Sequence, residues 1–167
     1  QAPPPTRPGC AAAGIPLTRA VPAEVVTTLG SIPIAEYGTP STKELPDAVR
    51  KYIKAHDGLL LANHGAVTCC KTVMTAYYKM ETIEHFAKIS FIARQLGGEN
   101  LLSRNEVERL QGLRGMYGIA APAPVCTDPN EAAFTDQALC HMVEAPESAT
   151  DGQVPDALHQ ARTDGEI

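Results

Sequence analysis

Long apolar runs are missing from this chain: none approaches the roughly 20 consecutive residues that a membrane-spanning helix requires, which excludes a helical membrane span. An initiator Met is also missing, as is the charged-then-apolar order of a signal peptide. Gln1 opens the sequence, so a processed, truncated or excised piece is expected. No C-x-x-C pair occurs. The five cysteines (Cys10, Cys69, Cys70, Cys126 and Cys140) are odd in number, and the adjacent Cys69 and Cys70 would make a strained disulfide. Reduced thiols in a cytoplasmic protein, buried on strands and without a chemical role, are the expectation. Basic residues form no stripe with interleaved aromatics, so nothing points to nucleic acid. No internal repeat is present.

What is there fits a globular chain. Its 167 residues, 44% hydrophobic and 20% charged, suffice for one domain with a core of its own. The net charge of −5 is unevenly spread. Residues 1–119 carry 13 Lys/Arg against 10 Asp/Glu, whereas residues 120–167 carry 1 against 9. The chain therefore divides into a near-neutral body, residues 1–121, and an acidic tail, residues 122–167. The tail is rich in Ala and Pro and is expected to be flexible, with short helices possible over 135–143 and 154–161.

Within the body, four prolines make residues 1–9 an extended lead-in rather than a helix. A short helix can open at Cys10 before Pro16 stops it. Residues 23–29 read as helix or strand, and 31–37 as a strand. Ser41-Thr-Lys-Glu44 has the pattern of a capping box. The stripe Leu45, Val49, Tyr52 and Ile53 then predicts a helix over 42–56, ending at His56-Asp57-Gly58. Residues 72–96 hold no Gly or Pro and repeat apolar residues at helical spacing, up to Gly97-Gly98. On that helix Glu81 and His85, and Glu84 and Lys88, lie one turn apart and read as face ion pairs. Ser103-Arg-Asn-Glu106 is a second capping box, opening a helix through Val107, Leu110, Leu113 and Met116/Tyr117 to Gly118.

The stretch Gly58-Leu-Leu-Leu-Ala-Asn-His-Gly-Ala-Val-Thr68 is an apolar run interrupted at Asn63-His64-Gly65. That pattern predicts a β-hairpin with a polar tip. His64 on so short a tether is a candidate metal ligand; an exposed passenger on a turn built by Asn63 and Gly65 explains the same letters. The order helix, hairpin, long helix, helix implies a sheet with helices packed against it, not a strict βαβ alternation.

Three segments share an order and spacing: Leu-Gly-Ser-Ile-Pro-Ile-Ala-Glu-Tyr-Gly-Thr-Pro (29–40), Leu-Leu-Ala-Asn-His-Gly-Ala-Val (60–67) and Tyr-Tyr-Lys-Met-Glu-Thr-Ile-Glu-His-Phe-Ala-Lys (77–88). Together they resemble the class II aldolase/adducin family, which includes the fuculose-phosphate aldolases. The resemblance covers residues 1–119 and aligns them with the C-terminal part of the family domain. It implies an α/β fold, an α/β/α sandwich around a mostly antiparallel sheet, assembled as a homotetramer in the cytoplasm. It also implies a sugar-phosphate substrate and Zn²⁺ bound by three histidines, the metal acting as a Lewis acid on an enediolate.

By this resemblance His64 corresponds to the third metal histidine, the one on the hairpin. The positions of the other two look like Gln1 and Pro3, so both ligands are absent. The family's acidic catalytic residue and phosphate loops would lie upstream of Gln1, which leaves no catalytic residue to name. Glu36 and Tyr37 are pocket-lining candidates. The remaining histidines, His56, His85, His141 and His159, show no ligand spacing to His64. The implied function is that of a zinc-dependent sugar-phosphate aldolase, or a related epimerase or dehydratase, impaired in this chain. The alternatives are a non-catalytic adducin-like assembly domain or a gene fragment. Neither a nucleic-acid nor a membrane partner is expected.

Overall fold

The computed structural model describes residues 5–119 and Val125. The acidic tail, with its two possible helices, otherwise lies outside the described residues. Eight elements follow in order: α1 (Thr6–Ala12), α2 (Ala23–Thr28), β1 (Ile34–Ala35), α3 (Glu44–Arg50), β2 (Gly58–Leu61), β3 (Gly65–Thr68), α4 (Val73–Gln95) and α5 (Arg104–Leu113).

Helix α1 begins inside the proline-rich lead-in, which corrects the expectation of extended chain up to residue 9. Pro8 is the third residue of the helix, where a missing N–H costs nothing because first-turn amides have no acceptor within the helix. The ladder starts with the Gly9 N–H donating to the Pro5 carbonyl at 3.0 Å. The segment expected as helix or strand over 23–29 is helical through Thr28, with Pro22 at the N-cap of α2, Leu29 at its C-cap and Val25 and Val26 buried. The strand expected over 31–37 narrows to two residues. Ile32 instead makes an isolated antiparallel bridge with Leu17.

Helix α3 is shorter than the predicted 42–56 and continues as turns through residue 55, where the N–H groups of Tyr52 and Ile53 both donate to the Val49 carbonyl at 3.1 Å. Its cap also differs. Ser41 sits in the left-handed region at φ 64° and does not cap. The Glu44 N–H donates instead to Thr42 Oγ1 at 3.2 Å, and the Glu44 carboxylate accepts from the Thr39 N–H at 2.9 Å. The box at Ser103/Glu106 forms as predicted, with the Ser103 N–H donating to Glu106 Oε2 at 2.7 Å. Helix α5 ends at Leu113, before Met116 and Tyr117, which lie in the turns that lead to Gly118 at φ 66°. The long helix α4 runs over 23 residues, as its periodicity predicted, and Thr72 and Thr75 cap it reciprocally.

The sheet among the described residues is mixed, in the order β1-β2-β3. β1 runs parallel to β2, with Ile34 opposite Leu60, and β2 and β3 form the antiparallel hairpin, with Leu60 opposite Ala66. Every residue of β2 is buried. Because side chains alternate along a strand, Leu60 enters one apolar cluster with Leu17, Val25, Leu29, Ile32, Ile83 and Phe86. Leu59 and Leu61 enter a second cluster with Ala35, Ala48 and Tyr52. This burial explains the unbroken Leu-Leu-Leu run and anchors the hairpin whose tip carries His64.

Candidate functional site

The hairpin forms as the sequence predicts, and its tip is held from two sides. Asn63 takes φ 57°, a left-handed value that Asn tolerates better than most residues. The His64 N–H donates to the Leu61 carbonyl at 3.0 Å, closing the turn, and the Asn63 N–H donates to the Ala11 carbonyl of α1 at 3.1 Å. The His64 side chain is exposed. Backbone bonds on both sides thus fix the tip while the imidazole projects into solvent.

The other end of α1 is fixed as well. The Thr6 N–H donates to Glu84 Oε1 at 3.0 Å and the Arg7 N–H to Glu84 Oε2 at 2.9 Å, so one carboxylate on α4 satisfies two first-turn donors of α1. Negative charge is favourable at a helix start. The Glu84 carboxylate therefore turns toward α1 rather than serving as the expected partner of Lys88. Glu81, expected to pair with His85, accepts from the Tyr77 hydroxyl at 2.7 Å.

The remaining candidates do not gather around His64. His56 is only 4% exposed, and its Nδ1 lies 3.1 Å from the Ser31 carbonyl. Burial lowers its pKa, which keeps the ring neutral. Asp57 pairs with Lys79 of α4; although burial is the largest single influence and pulls the ammonium down, the Asp57 carboxylate and the Cys70 thiol together raise the Lys79 pKa. Glu36 pairs with Lys51, the main reason its carboxyl is lowered, and accepts from the Tyr52 hydroxyl at 3.4 Å, while Tyr37 stands exposed. Glu36 thus borders the end of α3. His141 and His159 lie outside the described residues.

Cys10, Cys69 and Cys70 are free thiols. None is on a strand: Cys10 belongs to α1, and the other two lie in the connection between β3 and α4. Burial raises Cys10 and Cys69. At Cys70 burial is outweighed by the Thr75 hydroxyl, the Lys71 backbone and the Lys79 ammonium, and the thiol is lowered.

Sequence patterns gave no sign of a buried ionic junction at Glu99. Its carboxylate, with the side chain 1% exposed, lies 2.8 Å from Arg19 Nη1 and 3.6 Å from Arg94 Nη2, and it accepts from the Ser90 hydroxyl. This junction ties the loop after α4 to the segment before α2, and Arg19, 80 residues from Glu99, lies too far away to form a local pattern with it.

Among the described residues, no group of three or more His, Cys, Asp or Glu could hold a metal ion. A zinc site needs three or four protein ligands, and the described donors do not fit one. Gln1 and Pro3 lie outside the described residues, and neither side chain is an imidazole.

The sequence matches the family described as Class II Aldolase and Adducin N-terminal domain over residues 9–91, a span that contains the hairpin, Glu36 and most of α4. The chain belongs to this family. It is similar to a 3-oxo-tetronate 4-phosphate decarboxylase from Escherichia coli K12, at 34% identity over 68 residues, which are 41% of this chain and 32% of that protein. A 5-deoxy-D-ribulose 1-phosphate aldolase from Bacillus thuringiensis serovar kurstaki is 33% identical over 84 residues, covering 50% of this chain and 39% of that one. Among solved structures, an L-fuculose 1-phosphate aldolase superposes with a TM-score of 0.59 at 28% identity, over 64% of this chain and 50% of that chain. The chain thus spans about a third to a half of the length of the proteins it matches. No helix among the described residues is long and apolar enough to cross a membrane.

Proposed function

We propose that this chain is the hairpin-bearing part of a class II aldolase-type lyase acting on a sugar phosphate. The observation that carries the proposal is the family match over residues 9–91, which spans the hairpin with His64 at its tip. The names of the relatives point to phosphorylated sugars and sugar acids as the substrate class. Cleavage or decarboxylation next to a carbonyl leaves an electron pair that must be stabilised, and an open-sided zinc ion supplies that stabilisation in enzymes of this kind.

His64 is the one metal ligand assigned here. Gln1 and Pro3 occupy the positions where two further histidines would stand. On this reading the fold extends to an α/β/α sandwich, the assembly to a homotetramer and the location to the cytoplasm. The described residues hold too few ligands for tight zinc binding, so cleavage is impaired in this chain on this reading.

A second reading, a non-catalytic assembly module in the manner of adducin, is favoured by the scatter of the described donors, no three of which gather into a group that could hold a metal ion. Zinc content and affinity of the metal-repleted protein, measured by elemental analysis and chelator competition, separate the two. The measurement is made on the chain as it is, on its His64→Ala variant, and on a Gln1→His/Pro3→His variant. Zinc binding that appears in the double variant and vanishes when His64→Ala is added supports the lyase reading. No binding in the double variant would leave the assembly module.

A further inference from the structure

We propose that Glu84 is a positioning residue for His64, acting through α1 across the whole length of that helix. The proposal rests on the reading of His64 as a metal ligand. Helix α1 is held at its first turn by both oxygens of the Glu84 carboxylate, on the Thr6 and Arg7 N–H groups, and at its last turn by the bond from the Asn63 N–H to the Ala11 carbonyl. Asn63 immediately precedes His64. Glu84 lies 77 and 78 residues from its two partners.

The coupling follows from the length of the helix. Seven residues span only about 10 Å, and a helix that short does not hold in water without tertiary support, because nucleation uses up more conformational freedom than so few bonds return. Its N-cap residue, Pro5, gives it no side-chain cap. Glu84 is thus its N-terminal cap, provided by another element. Ala11, at 1% exposure, and Cys10 pack into the apolar cluster with Leu60 and Phe86, so the far end is seated on the core. Weakening the first turn loosens the geometry that presents the Ala11 carbonyl, and Asn63 loses the bond that ties it to α1.

Glu84→Gln tests this with almost no change in volume. A Gln amide offers one acceptor oxygen and sets an NH₂ donor against the second backbone N–H. In the full chain, hydrogen exchange followed by NMR should show faster exchange at Asn63 by about tenfold, together with shifted His64 ring resonances. The Cys69 N–H, which donates to the Asp57 carbonyl at the base of the hairpin, should stay protected.

Gly9→Ala is the companion variant. A Cβ there meets nothing within 4 Å, so it strengthens α1 directly. It should slow Asn63 exchange in the otherwise unchanged chain and restore protection when added to Glu84→Gln. An Asn63 amide and His64 ring that ignore both substitutions would overturn the proposal, leaving Glu84 as a local cap. Coupling that persists while the Gln1→His/Pro3→His variant binds no zinc would end the metal reading alone, and Glu84 would remain the residue that holds the tip.

Discussion

Gly38 and Gly112 should respond to the same substitution with opposite sign. At Gly38 an added Cβ would lie 2.5 Å from the Leu45 nitrogen, 2.6 Å from its Cα and 2.8 Å from the Glu44 carbonyl carbon. Favourable separations between such atoms are about 3.5–4.0 Å, so the overlap is about 1 Å. All three atoms are backbone, and no rotamer change relieves them. Either the first turn of α3 or the Glu36–Thr39 segment must retreat, and the bond from the Thr39 N–H to the Glu44 carboxylate, at 2.9 Å, stretches with it. Overpacking of this kind costs about 1–3 kcal/mol, reduced by the roughly 0.4–1 kcal/mol that Ala gains over Gly by restricting the unfolded chain. Gly112, by contrast, lies in α5 with nothing within 4 Å of its would-be Cβ. Gly112→Ala should therefore stabilise by about 0.5–1 kcal/mol. Urea unfolding reads both: the Gly38→Ala midpoint falls and the Gly112→Ala midpoint rises, with m unchanged. Midpoints that move in the same direction would refute the close-approach argument for Gly38.

Buried groups give two more expectations. Because burial lowers the His56 pKa in the folded chain, the unfolded chain binds the proton first as pH falls. Stability is then complete above the ordinary imidazole value of about 6.5 and declines below it, at no more than about 1.4 kcal/mol per pH unit for one proton. Urea midpoints across that range should be flatter for His56→Gln than for the unaltered chain, and parallel curves would count against His56 as the sensor. Glu99→Ala removes the counter-charge shared by Arg19 and Arg94 and the acceptor of the Ser90 hydroxyl. With the two guanidiniums about a third exposed, the loss should lie near the lower end of the range for broken buried pairs, about 3 kcal/mol. Glu99→Gln, which keeps the shape, should lose less by the same unfolding assay.

Local chemistry wrote several elements plainly. The Asn63-His64-Gly65 break between aliphatic runs becomes a hairpin because the turn residues and the strands satisfy each other within a few residues. Ser103 and Glu106 cap α5 reciprocally over three residues, and α4 follows its own apolar period. The three segments that carry the family resemblance are legible for the same reason: each is short and contiguous. Ser41 shows the limit, because the same box pattern is diverted when the backbone at that residue turns left-handed and Thr42 and Thr39 take up the bonds of Glu44.

What the sequence determined by itself was whatever its neighbours along the chain could satisfy: the hairpin, the two longer helices, and the exposed histidine at the tip. Tertiary structure alone decided that prolines could begin α1, that Glu84 would hold that helix rather than pair with Lys88, and that Glu99 would join two distant loops. In each of these cases the backbone amide or charge finds its partner many residues away. Only the folded packing of α1, α4 and the loops brings such groups within hydrogen-bonding distance, and no periodicity or spacing in the sequence encodes it.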